Sequence, residues 1–420
     1  MSATIAGGFR QRLLDEMEAL PTVDCHSHTM LRRDYERRQR DLFSIHSYFA
    51  RDAAGLTGQS WETLFDPAVD DETRWGRLRD VLARSRNVSY WRHNVVTYQG
   101  LFDLTDDDLT DANWRGLNER IKAYTARPDW YDDVTRRRCN LITQIRNVPW
   151  FEDWEPEYFT ATLRMEPALP RLRAPLHEQL EANLGRELRD LAAWKTGLAD
   201  FLAGYVARGT IGIKLAHAYQ RSLYHPQVPE AAAAGIFARV ARNEDVTPAE
   251  VTALQDHTVW FLAGLASDMG LIFQIHTGMQ GNWGHVPDSN PVGLLELIRA
   301  HRNVKFDLFH AGYPYAREIG VMGKHYPNVW LNACWIYLIT MAGSRQLLSE
   351  WIDLVPMERL IGFGSDVYFP EMVYGHLVMA RACLADVLAE KVERDFLSKS
   401  AALDLVRWLL RDAPVALYRL

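Results

Sequence analysis

The chain has 420 residues, with 47 Lys and Arg against 54 Asp and Glu and a net charge of −7. Such a mildly acidic balance leaves no electrostatic footprint for gripping phosphates, so nucleic acid is not an expected partner. At 48% hydrophobic and 24% charged, the composition is that of an ordinary globular protein, with room for one large α/β domain or two smaller ones.

Cys25, Cys139, Cys334 and Cys383 lie far apart and form no CxxC pair. This argues against a disulfide framework and a thiolate zinc site, and fits a reducing cytoplasm. The first residues carry Arg10, Asp15 and Glu16 where a signal peptide would need an apolar centre, so an ordinary helix is expected there. The longest apolar stretch, Val259 to Ile275, is broken by Asp268 and Gly270, and no membrane span is expected.

In chain order, eight short apolar runs rich in β-branched residues stand out. They are Thr22 to Cys25, Leu141 to Ile145, Phe159 to Leu163, Thr210 to Leu215, Leu271 to Ile275, Val304 to Phe309, Val329 to Ala333 and Leu360 to Phe363. Amphipathic helical stretches separate them, the signature of βα units and a parallel sheet. Eight such units predict an α/β fold, the (β/α)8 TIM barrel. One helix is bounded sharply: Thr247-Pro-Ala-Glu250 supplies an N-cap, a first-turn proline and a capping-box glutamate, and Gly270 supplies the stop. Further helices are expected over Pro291 to Arg302, Ser344 to Leu354, Glu371 to Glu393 and Ser398 to Arg411.

A polar, mostly helical stretch from Thr29 to Asn140 exceeds what a barrel needs and reads as an insertion after the first strand. The chain thus divides into 1–28 (helix and first strand), 29–140 (insertion) and 141–420 (the rest of the barrel). The insertion is expected to be a lid over the active-site face or a dimerisation surface.

The first strand ends in Val23-Asp24-Cys25-His26-Ser27-His28. Histidines at i and i+2 on an extended segment point the same way and can meet one ion. Three later strands end in comparable fashion, at His276, His310 and Asp366, where the polar side chain would project past the sheet's C-terminal edge.

These strand ends, together with IHTGMQG, FHAGYPY, YPNVWLNACW and GFGSD, resemble the amidohydrolase superfamily, in its "amidohydrolase 2" and uronate-isomerase-like branch. The resemblance implies that His26, His28, His276 and Asp366 bind a metal. It places His310 beside that metal as a catalytic acid or base, with Asp366 relaying a proton. Three imidazoles and a carboxylate suit Zn2+, with Mn2+ or Fe2+ as alternatives. By the same resemblance, Lys214 could be carboxylated and bridge a second ion with His276 and His310; one ion is favoured over two.

Arg221, Arg146 and Arg317 are candidates to clamp an acidic group, and Trp335, Tyr313 and Tyr219 to line an apolar wall. His46 and Asp52 could fold over the metal or lie on a solvated helix face. His217, His225, His285, His325 and His376 default to structural roles, and Glu371 is a candidate support for Asp366.

The leading expectation is a metal-dependent hydrolase acting through metal-activated water on a small, anionic organic acid or its amide, lactone or ester. Two alternatives use the same site: a nonhydrolytic decarboxylase or uronate-type isomerase, and a dinuclear Fe or Mn monooxygenase. A cytoplasmic homo-oligomer is expected.

Overall fold

The computed structural model describes residues 2–37, 40–169, 175–242, 244–281 and 284–420. Arg38 and Gln39 of the expected insertion lie outside the described residues. Eight strands form one sheet in sequential order: β1 (Thr22–Ser27), β2 (Leu141–Val148), β3 (Phe159–Arg164), β4 (Gly212–Leu215), β5 (Ile272–Ile275), β6 (Lys305–Leu308), β7 (Val329–Asn332) and β8 (Leu360–Ile361). Every one of the eight apolar runs holds a strand. Sequential order, with helices in every connection except that between β2 and β3, is the topology of a TIM barrel.

The chain divides into two compact units. The first holds 1–144, 333–353 and 360–415; the second holds 145–332, 354–359 and 416–420.

In the second unit, β3 to β7 pair in parallel register, with Ile213 opposite Leu163 and Phe273, and Phe273 opposite Phe306. The helix capped by Thr247 and Glu250 runs over Pro248–Met269 and stops at Gly270 in the left-handed conformation, as the sequence predicts. It hands directly to β5. The helix expected over 291–302 is a tighter 3-10 turn (Pro291–Leu294) followed by a short α-helix (Leu295–Ala300). A buried polar layer fills the strands: Asp307 accepts hydrogen bonds from Tyr418 Oη at 2.6 Å, Gln274 Nε2 at 3.0 Å and Asn332 Nδ2 at 3.0 Å. Burial still pushes its carboxyl up to about 6.

In the first unit, the central element is the helix Pro370–Glu393, packed against Ser2–Ala19 and Ser89–Leu101. Gly375 permits the second contact, since a Cβ there would fall 2.0 Å from Thr97 Oγ1. By length and composition this helix could cross a membrane, which corrects the expectation that no segment reaches that standard. Within the protein, 72% of its most apolar window is buried, so its hydrophobicity is spent on the core. The stretch 29–140 is helical as expected, with helices including Phe49–Thr57, Asp71–Ser85, Ser89–Leu101 and Trp114–Thr125. Past Lys399–Arg407 the chain widens into a π turn (Trp408–Asp412) before its last helix.

Candidate metal centre

All six residues of β1 are buried, and beyond it His28 keeps a side chain that is 39% exposed. The segment after β8 runs alongside: Phe363 O accepts from Cys25 N, and Asp366 N donates to His26 O at 2.9 Å. Gly364 makes this approach possible, because a Cβ would lie 2.9 Å from that of Cys334. Asp24 then locks the turn, accepting from Ser365 N at 2.7 Å and Ser365 Oγ at 2.6 Å. Burial raises the Asp24 carboxyl to about 7 despite those bonds.

The result brings three sequence-predicted ligands together. His26 Nε2 and His28 Nε2 each lie 3.2 Å from Asp366 Oδ1. Their ligand atoms all fall within 4.8 Å of one another. Asp366 is held at φ 52°, a left-handed conformation that costs a non-glycine residue about 1–3 kcal/mol and that here aims the carboxylate between the two rings. Burial alone would raise its carboxyl, but hydrogen bonds and charge from His26 and His28 outweigh that and hold it well below the usual range. Two imidazole nitrogens and an ionised carboxylate suit a divalent cation with N/O preference, so the donor set fits the metal expected here.

Sequence reasoning missed Tyr48. Its hydroxyl donates to Asp366, 2.9 Å from Oδ2 and 2.7 Å from the main-chain oxygen, across 318 residues of sequence. The ring packs on Trp335 at 4.5 Å, and the Arg51 guanidinium lies over both rings. Trp335, expected to face substrate, is fully buried and instead supports Tyr48. The only available signal was its place in the segment 42–52 that also holds His46 and Asp52. His46 is not on a solvated face: it is half-buried against Trp61 and Phe369. Glu371 does not support Asp366. It accepts from Tyr35 Oη and from Trp130 Nε1, tying the insertion to the helix Pro370–Glu393.

The remaining predicted residues belong to the second unit. His276 Nδ1 and His310 Nε2 share a 2.8 Å hydrogen bond, and His276 Nε2 reaches Met279 O at 2.9 Å. With Nε2 donating to that carbonyl, Nδ1 accepts from His310. Tyr219, 42% exposed, packs at a tilt against His276 with ring centroids 4.4 Å apart. Lys214 is buried on β4, its Nζ 3.8 Å from the Phe309 ring centre. Tyr313 is half-buried, Arg317 is exposed, and Arg146 lies over Phe159.

Arg221 is engaged elsewhere. It donates to Asp256 Oδ1 at 2.5 Å, and Asp256 also receives His225 Nδ1 at 2.9 Å; His225 Nε2 meets His217 Nε2 at 2.8 Å. A clamp on substrate would have to break this buried pair, so Arg221 is a structural cation and the expected substrate role is corrected. His217 and His225 spend these ring nitrogens within the cluster.

A family model described as "Amidohydrolase" matches residues 218–420. The uronate isomerase of Nostoc punctiforme is 23% identical over 97% of this chain and 94% of that protein. Protein fluG of Emericella nidulans is 34% identical over 29% of this chain, a match spanning only 14% of fluG. Among solved structures, the uronate isomerase of Thermotoga maritima superposes with a TM-score of 0.83 at 16% identity, over 98% of this chain and 97% of that one. The resemblance to the amidohydrolase superfamily and its uronate-isomerase-like branch is thus carried by a family model over residues 218–420, by a relative aligned along nearly the whole chain and by the fold.

Proposed function

We propose that the protein is a metal-dependent isomerase interconverting a uronate, or a closely related anionic sugar acid, with the corresponding ketose acid. The hydrolytic reading leads from the sequence, but likeness over nearly the whole chain runs to uronate isomerases, which favours the nonhydrolytic alternative. The observation that carries the reading is the pairing of Asp366 with the Tyr48 hydroxyl beside two ligand histidines.

An aldose–ketose interconversion moves hydrogen between adjacent carbons and needs a base and a proton-bearing acid at one place. Asp366, kept ionised by His26 and His28, is the group that accepts charge and proton density. Tyr48 Oη holds a proton 2.9 Å from Asp366 Oδ2, the atom through which it can be exchanged. Trp335 fixes the phenol ring, and Arg51 places positive charge over it, which favours the transient phenolate. A divalent metal held by His26, His28 and Asp366 would polarise the substrate's carbonyl oxygen.

The test is proton NMR of purified, metal-supplemented protein with D-glucuronate and D-galacturonate, beside a panel of lactones and aryl esters. Conversion of a uronate to its ketose, lost in Tyr48→Phe, is the expected result. Hydrolysis of the esters or lactones with both uronates unchanged would restore the hydrolase reading.

A further inference from the structure

Within the first unit, the insertion encloses a cavity of about 560 Å³ between the segment 40–74 and Tyr368–Phe369. Its size lies in the range of small-molecule sites. Its walls are aromatic, from Phe43, Trp61, Phe65 and Phe369, and its charges are unevenly satisfied.

Arg74 is balanced by Asp41 at 3.0 Å and by Asp71. Glu62 stands exposed at the rim. Arg40 is different. It is only 4% exposed, its Nε has no hydrogen-bond partner, and Nη2 reaches only the Met30 sulfur at 3.3 Å and Tyr35 O at 3.5 Å. No carboxylate among the described residues pairs with it. The buried Glu371 feels its charge, but its Oε1 accepts from Tyr35 and Trp130, and its Oε2, though without a hydrogen-bond partner, makes no ion pair with Arg40. A guanidinium has five N–H donors in a planar fork, and burying them unsatisfied is costly unless an acceptor arrives. A second group points the same way. His46 lines the cavity with Nδ1 buried and unpartnered, and burial disfavours the charged form of the ring.

We propose that this cavity is a binding site for a small anion with a flat apolar body, an aromatic carboxylate, held at Arg40 and His46 against the aromatic walls. A carboxylate matches the guanidinium fork with two parallel hydrogen bonds. His46 Nδ1 supplies a further donor, and the rings of Trp61 and Phe369 accept the apolar face. The site is distinct from the metal centre yet adjoins it: Met30 and Tyr368, both in the lining, stand two residues beyond His28 and Asp366 and are joined by a 2.9 Å backbone hydrogen bond. It does not depend on which reaction the metal centre performs.

Isothermal titration of the full chain with 2-naphthoate and with its neutral isostere 2-naphthamide tests it. The expected result is saturable binding of the carboxylate and at least about tenfold weaker binding of the amide, the scale of a charge-assisted hydrogen bond. Arg40→Met should erase the preference, while Arg40→Lys, a point charge without the fork, should keep part of it. If Arg40→Met does not fold by circular dichroism, Arg40→Lys and His46→Phe carry the test, each expected to weaken the carboxylate selectively. Binding should persist in His28→Ala. No saturable binding of 2-naphthoate, equal affinity for acid and amide, indifference to Arg40 and His46, or loss of binding in His28→Ala would each overturn the proposal, the last by placing the carboxylate at the metal centre.

Discussion

Two clusters in this protein are built from the same residue types and reach opposite electrostatic ends. In the first unit, two histidines converge on Asp366 and drive its carboxyl down. In the second, His225 and Arg221 converge on Asp256, yet burial prevails and its carboxyl rises to about 6, while His225 falls to about 3. The difference lies in where the compensating charge comes from. Asp256 has its own cation, Arg221, so the cluster closes on itself and buries two neutral imidazoles as a packed hydrogen-bonded chain. At Asp366 the partners described are two imidazoles that can turn lone pairs on a cation and the Tyr48 hydroxyl, and His28 remains partly exposed. Histidines around an aspartate therefore identify a metal centre only when the site leaves charge to be neutralised from outside.

The sharpest way to break this comparison is to remove the carboxylate from each side. Asp366→Asn should strip the purified protein of transition metal by elemental analysis and reduce activity by more than the roughly 10–100-fold that loss of an outer partner costs. Asp256→Asn should leave metal content unchanged. Equal metal loss in both variants would mean that the second cluster also serves the cation.

How much of this was legible beforehand follows from the range of the interactions. The eight strands could be read because each is a local apolar run closed by a local signal, and His26, His28 and Asp366 because strand ends in this topology share one edge. Tyr48 was illegible: nothing within its own segment reports that its hydroxyl meets a residue 318 positions away. Arg221 was misread for the same reason. An arginine after a barrel strand fits a substrate clamp until its partner is known, and that partner sits 35 residues on, inside another helix. The helix Pro370–Glu393 shows the converse, where apolar composition was visible but only packing reveals that a protein core covers it.

A second prediction concerns what Arg221 contributes. Arg221→Ala leaves Asp256 buried without its cation and should destabilise the fold by about 3–5 kcal/mol, measured by urea unfolding. The cost should be smaller in Arg221→Ala combined with Asp256→Asn, since the orphaned charge is then absent. Additive losses in the double variant would show that the two side chains do not act as a pair.

The smallest and most discriminating effect is in pH dependence. His225, at about 3 in the folded state against an ordinary value near 6.5, contributes stability that is present above about pH 6.5 and is lost as pH falls toward 3, because only the unfolded chain takes up the proton in that window. Asp256 has the opposite sign. Raised to about 6, it contributes stability that is present below about pH 4 and is lost as pH rises through 6. Between pH 4 and 6 the two partly cancel in the parent protein. His225→Gln removes the first contribution and leaves the second, so chemical unfolding at pH 6.5 and pH 4.5 should show the variant losing less stability on acidification than the parent, by about 1–3 kcal/mol. A variant that loses as much as the parent would mean that His225 already carries its proton in the folded state. The cluster would then be a charged network like the metal centre, and the contrast between the two regions would fail at its root.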